Sequence, residues 1–146
     1  MIAEIATALQ STLLAVQLDG SSLFTEVKAA PPKDNDDFAD FPACSFYYDT
    51  TDSAYSTVSA NRRDVEFSIW IYGIWQNKTL TDQYATMYAM IDAVLDALDN
   101  SNDLGIDTII VRPVPAELNR VQIERGDGLM ARIRLVCSGD MPANGS

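Results

Sequence analysis

The stretch "NRRDVEFSIWIYGIWQ", residues 61 to 76, alternates with a period of two, with Val65, Phe67, Ile69 and Ile71 on one face and Glu66, Ser68, Trp70 and Tyr72 on the other. That period is a half-buried strand. Its first face is a core face. Its second face begins with a carboxylate and a hydroxyl and ends in two large aromatics that need cover from something. A different period governs "TLTDQYATMYAMIDAVLDALDN", where Leu80, Tyr84, Met87, Tyr88, Ile91, Val94, Leu95 and Leu98 form one stripe over about five helical turns. Thr79 or Thr81 can cap its start, and "NSNDLG" through Gly105 ends it. Ile2, Ile5, Leu9, Leu13 and Val16 recur at three- and four-residue spacing, which predicts an N-terminal amphipathic helix over 2–18 with Asp19-Gly20 as its stop.

Short apolar runs bounded by turn residues predict the other strands. "SLFTEVKAA" from Ser22 to Ala30 is one, ended by Pro31-Pro32, and "FPACSFYYD" is another, starting at or after Pro42 because proline cannot donate to a ladder. Between them, residues 31 to 40 carry two prolines and a dense acidic run and read as an exposed loop, and the Ser/Thr-rich residues 50 to 60 read as a second loop. Beyond the long helix, "IDTIIVRPV" reads as a strand stopped by Pro113 and Pro115. "ELNRVQIERGDGLMARIRLVCSG" reads as two strands joined at Arg125-Gly126-Asp127-Gly128, the glycines supplying positive φ at the hairpin tip. In its second arm Ala131, Ile133, Leu135 and Cys137 face one way and Arg132 and Arg134 the other, and residues 139 to 146 form a loose tail. The order of elements predicts a single α+β domain over residues 1–146, with two helices packed on one face of a mainly antiparallel, mixed sheet of about five to six strands.

A chain of 146 residues can bury about 68–70% of its unfolded surface without metals or disulfides. No apolar run approaches the ~18 residues needed to cross a bilayer, and the first residues lack a basic region before an apolar one, so the expectation is a soluble, unsecreted protein. Cys44 and Cys137 lie in alternating apolar segments and read as reduced core thiols. In that context the sequon Asn77-Lys78-Thr79 carries no weight. The net charge of −11, with ten basic residues forming no tract, argues against binding to a phosphate backbone.

The chain contains no histidine, which removes the commonest general base and metal ligand together with the Ser-His and Cys-His schemes. Asp99, Ser101, Asp103, Gly105 and Asp107 alternate like a calcium loop, but Leu104 stands where the turn glycine belongs and Ile110 where the bidentate glutamate belongs. No phosphate-binding glycine motif is present. No catalytic, cofactor-binding or metal-binding residue is expected.

Other features point to a protein partner. Ala85, Ala89, Ala93 and Ala97 recur every four residues among Asp82, Asp92, Asp96 and Asp99, either as a ridge that permits close approach or as plain helix-favouring positions on a solvent face. Trp70 and Tyr72 lie either under the hairpin or against a neighbouring subunit. Together with Arg132 and Arg134 these are the candidate interface residues.

Taken with the N-terminal amphipathic helix, the segments "FPACSFYY", "RRDVEFSIWIYG", "LTDQYATMYAMIDAVLDAL", "TIIVRPV" and "ARIRLVCSG" give a pattern over residues 3 to 138 that resembles the tail terminator and tail-completion proteins of long-tailed bacteriophages. The resemblance implies a structural, non-enzymatic virion protein that caps the head-proximal end of the tail tube as a homo-oligomeric ring, commonly a hexamer. It implies contacts with the tail-tube protein and with the head connector or neck, loops or a hairpin facing a channel through which DNA passes without specific binding, synthesis in the host cytoplasm, and no membrane. An acidic subunit suits such a channel. Head-completion and neck proteins share much of the pattern and are the nearest alternative. A small acidic ligand-binding domain or enzyme is the alternative from another class, and it would require a deep pocket with convergent acids.

Overall fold

The computed structural model describes residues 2–31, 38–49, 62–101, 103–106 and 109–140. Helix α1, Ile2–Leu14, buries Ile5, Leu9 and Leu13 at four-residue spacing. It ends four residues before the expected limit, because the chain turns into a miniature hairpin of β1, Gln17–Leu18, and β2, Ser21–Ser22. Asp19 and Gly20, both at positive φ (54° and 82°), form its two-residue turn. Asp-Gly is the usual chemistry of such a turn, and here it closes a hairpin rather than a helix.

The main sheet has the order β3-β4-β5-β7-β6, with β3 Glu26–Lys28, β4 Ala43–Tyr48, β5 Arg62–Trp75, β6 Ile109–Ile123 and β7 Gly126–Asp140. Only β3 and β4 run parallel, and the other pairings are antiparallel. The fold is α+β with a mixed, mainly antiparallel five-stranded sheet, as the element order predicted. The strand expected over 22–30 contracts to the three residues of β3. Beyond β4, residues 50–61 lie outside the described residues, as do 32–37, so the expected loops there are not characterised.

Cys44 and Phe46 of β4, Val65, Phe67, Ile69 and Ile71 of β5, and Leu129, Ala131, Ile133, Leu135 and Cys137 of β7 form one buried face. Both helices pack on it. The second helix, α2, spans Leu80–Asn100 and is capped by the Thr79 side chain, which accepts from the Asp82 amide at 3.3 Å. Its buried positions are Gln83, Met87, Met90, Val94 and Leu98. This stripe is rotated from the expected one, for Leu80 and Tyr88 stand 45% and 55% exposed. Gln83 enters the buried row because its amide donates to the Lys78 carbonyl at 3.0 Å, which satisfies a polar group the pattern alone would place in water. Each fully buried aliphatic such as Val94 or Leu98 contributes about 1.5–3 kcal/mol.

Three further expectations change in the β6–β7 hairpin. Pro113 and Pro115 do not stop β6, which continues to Ile123. Spaced two apart on an edge strand, both can turn their missing N–H away from β7, and the register breaks only after them, between Pro115 and Glu117. The turn is Glu124-Arg125, since Ile123 already pairs with Gly126. Gly126, Asp127 and Gly128 are therefore the first residues of β7 and not a tip; Gly126 has φ of 143°, whereas Gly128 is needed for close approach. Finally, β7 runs through Asp140, past the start of the expected tail, and residues 141–146 lie outside the described residues.

Candidate functional site

The face of the sheet opposite the helices holds Trp70, Tyr72, Arg132 and Arg134. Register places Trp70 opposite Arg132, Tyr72 opposite Met130 and Ser68 opposite Arg134. Tyr72 is only 5% exposed because the chain covers it itself. Phe38 lies on it with ring centroids 5.0 Å apart, and Phe41 meets Phe38 edge-on at 6.0 Å. Burial raises the Tyr72 phenol above its ordinary pKa. Arg125, in the hairpin turn, donates to the Phe38 and Ala39 carbonyls and stacks its guanidinium 4.8 Å from the Phe41 ring centroid. Trp70 is half-buried, stacked on Tyr72 at 6.5 Å, and donates its indole N–H to the Tyr47 hydroxyl at 3.0 Å. Tyr72 is thus covered within the chain by residues 38–42, pinned by the hairpin turn, while Trp70 stays half-buried. Phe38, expected in an exposed acidic loop, is 1% exposed, since one aromatic suffices to anchor a polar segment where an apolar surface waits.

Next to this aromatic cluster lies a polar one. Arg132 donates through Nη2 to Asp49 Oδ2 at 2.9 Å, through Nη1 to Glu117 Oε1 at 3.2 Å and through Nε to the Ser68 hydroxyl at 3.1 Å. Ser68 in turn donates to Asp49 Oδ2 at 2.7 Å. Arg134 donates to Glu66 Oε1 at 2.6 Å. Both arginines proposed for an interface are therefore engaged by carboxylates of their own chain. The alternation of β7 revealed their side of the sheet. The partners of Arg132, Asp49 just past the end of β4 and Glu117 on β6, had no signal in the sequence. Ser68 is wholly buried and so offers no accessible nucleophile.

On α2, Ala85 is exposed, Ala89 is half-buried, and Ala93 and Ala97 pack against the core, so the alanine row is in part a core flank. A depression of about 510 Å³ beside the start of α2 is formed by Ile74, Trp75, Gln76, Asn77, Lys78, Thr79 and Asp82 and gathers no cluster of acids. Among the described residues no group of three or more acids and cysteines is placed to hold a metal, and no helix is long and apolar enough to cross a membrane.

Cys44 and Cys137 are buried and unpaired with each other. Burial raises both thiols above their ordinary pKa, Cys137 to about 12 and Cys44 further. A thiol whose folded pKa is raised favours the folded state below its unfolded pKa, and that contribution is lost as pH rises through the folded value. A thiol-reactive dye at pH 8.5 is expected to label neither cysteine in the native protein and both in denaturant. Rapid labelling of one thiol in the folded chain would contradict the burial.

No protein-family model matches the sequence, and no curated protein matches it.

Proposed function

We propose that the protein is a structural subunit of a phage connector that caps the tail tube as a homo-oligomeric ring and forms the tail side of the head-tail junction. The observation that carries this reading is the long, exposed outer strand β6. Its 15 residues form the edge of a sheet whose other face is sealed by helices, and most of Arg112 to Arg120 is solvent-exposed. Ile109, Val111 and Val121 are the buried hydrophobics of this strand, about 50 Å long, so most of its length presents contact area in place of a reaction site. The reactive groups already described are buried or paired, which agrees with a scaffold role. The net charge of −11 suits a wall past which DNA moves without sticking.

Sedimentation and negative-stain microscopy of the purified chain, alone and with tail tubes, test the proposal. The expected outcome is a closed ring of identical subunits that co-sediments with tube ends and leaves duplex DNA unbound. Co-sedimentation with the head connector and not with tubes would reassign the subunit to the neck. A mass fixed at one subunit under all conditions, with no binding to either, would overturn the proposal.

A further inference from the structure

Five large apolar side chains are exposed among the described residues, and four of them fall into two rows. On α2, Leu80, Tyr84 and Tyr88 follow one another at four-residue spacing, continued by Asp92 and Asp96. Tyr84 and Tyr88 touch, with centroids 5.9 Å apart. On β6, Ile110 (60% exposed) and Val114 (39%) flank the exposed Arg112. Ile109 and Val111 are buried under the helices, so by alternation the row Ile110, Arg112, Val114 faces the other side of the sheet. The two rows therefore lie on opposite sides of the subunit.

Their charges are complementary. Between Leu80 and Asn100, α2 carries four aspartates and no lysine or arginine. Arg112 forms no ion pair among the described residues, unlike Arg132 and Arg134 in the same sheet. Their pitches are also close: four helical residues advance about 6 Å and two strand residues about 7 Å. A chain with net charge −11 repels its own copies unless local charges are matched in this way.

We infer that the row Leu80, Tyr84, Tyr88, Asp92 of one copy docks on the row Ile110, Arg112, Val114 of the next. The inference rests on the ring reading above. Two different patches on opposite sides make a head-to-tail contact, the kind that closes into a ring when the rotation per step is a whole fraction of a turn. The tyrosines supply large, rigid contact area, and the Asp92–Arg112 pair sets register.

Two variants test it, each with one patch spoiled: Tyr88→Ser with Asp92→Arg, and Ile110→Ser with Arg112→Ser, a choice that gives the two spoiled patches no charge pair with each other. These side chains are exposed, so circular dichroism should be unchanged. Each variant alone is expected to sediment as single subunits, its association weakened about a hundredfold or more. Mixed, they should form a two-subunit complex, because each retains the patch the other lacks. If either variant still forms rings, or the mixture stays at single subunits while the wild type assembles, the interface is overturned and the ring stands. A wild type that never assembles overturns both.

Discussion

Gly128→Ala is expected to be among the most damaging single substitutions in the protein. A Cβ built on Gly128 would lie 1.8 Å from the Gly73 carbonyl oxygen and 2.8 Å from its carbon, both backbone atoms of the neighbouring strand β5. Neither can swing aside, so β5 and β7 must separate at this point of their pairing. Overpacking of a yielding core costs about 1–3 kcal/mol, and a clash with backbone should reach about 3 kcal/mol or more, a large share of the 5–15 kcal/mol typical of a domain's stability. Gly20→Ala is the control: its φ of +82° disfavours a side chain, yet nothing lies within 4 Å, so about 1 kcal/mol is expected. Urea unfolding of both variants decides the matter. A Gly128→Ala midpoint no lower than that of Gly20→Ala would mean that the strands are not in such close approach.

That glycine illustrates what a linear pattern conveys. Asp127 between two glycines looked like a hairpin tip because glycine is the usual residue at positive φ, and the local signal does not distinguish that need from the need for no Cβ at all. Period-two alternation in β5 and β7 was legible, since both strands have one face on the core, and so was α2, whose length leaves little competition. The phase of α2 was less so. Leu80 and Tyr88 fit the apolar stripe by spacing, but the helix is turned so that Gln83 goes in and Tyr88 stays out. Rotation of that size depends on the shape of the sheet beneath, which no residue of the helix encodes. The cover on Tyr72 was equally illegible, because Phe38 is 34 positions away in a segment whose composition reads as solvated.

Asp49→Ala carries the second large expectation, because Asp49 belongs to an arrangement that ties four strands together. Asp49 follows the end of β4, Ser68 is on β5, Arg132 on β7 and Glu117 on β6, and the one guanidinium bonds to all three partners. The Asp49 and Arg132 side chains are 8% and 14% exposed, so removing the carboxylate leaves a mostly buried cation short of its partner, which costs about 3–5 kcal/mol in comparable pairs. Glu117, 43% exposed, is the rim of the same network, and Glu117→Ala should cost about 1 kcal/mol or less. Replacing both buried partners by apolar residues, Asp49→Leu with Arg132→Met, should recover part of the loss, since no buried charge then remains unmatched, although the buried Ser68 hydroxyl loses both of these partners. Urea unfolding of Asp49→Leu alone, Arg132→Met alone and the two combined closes a cycle in which the coupling is expected to exceed about 1 kcal/mol. Because the guanidinium also holds β6 to the sheet, Asp49→Ala should speed amide exchange along β6 more than along β4 and β5, and with it weaken any contact the edge strand makes. Asp49→Ala as mild as Glu117→Ala, with exchange on β6 unchanged, would reduce the network to surface decoration and leave the edge strand held by its ladder to β7 alone.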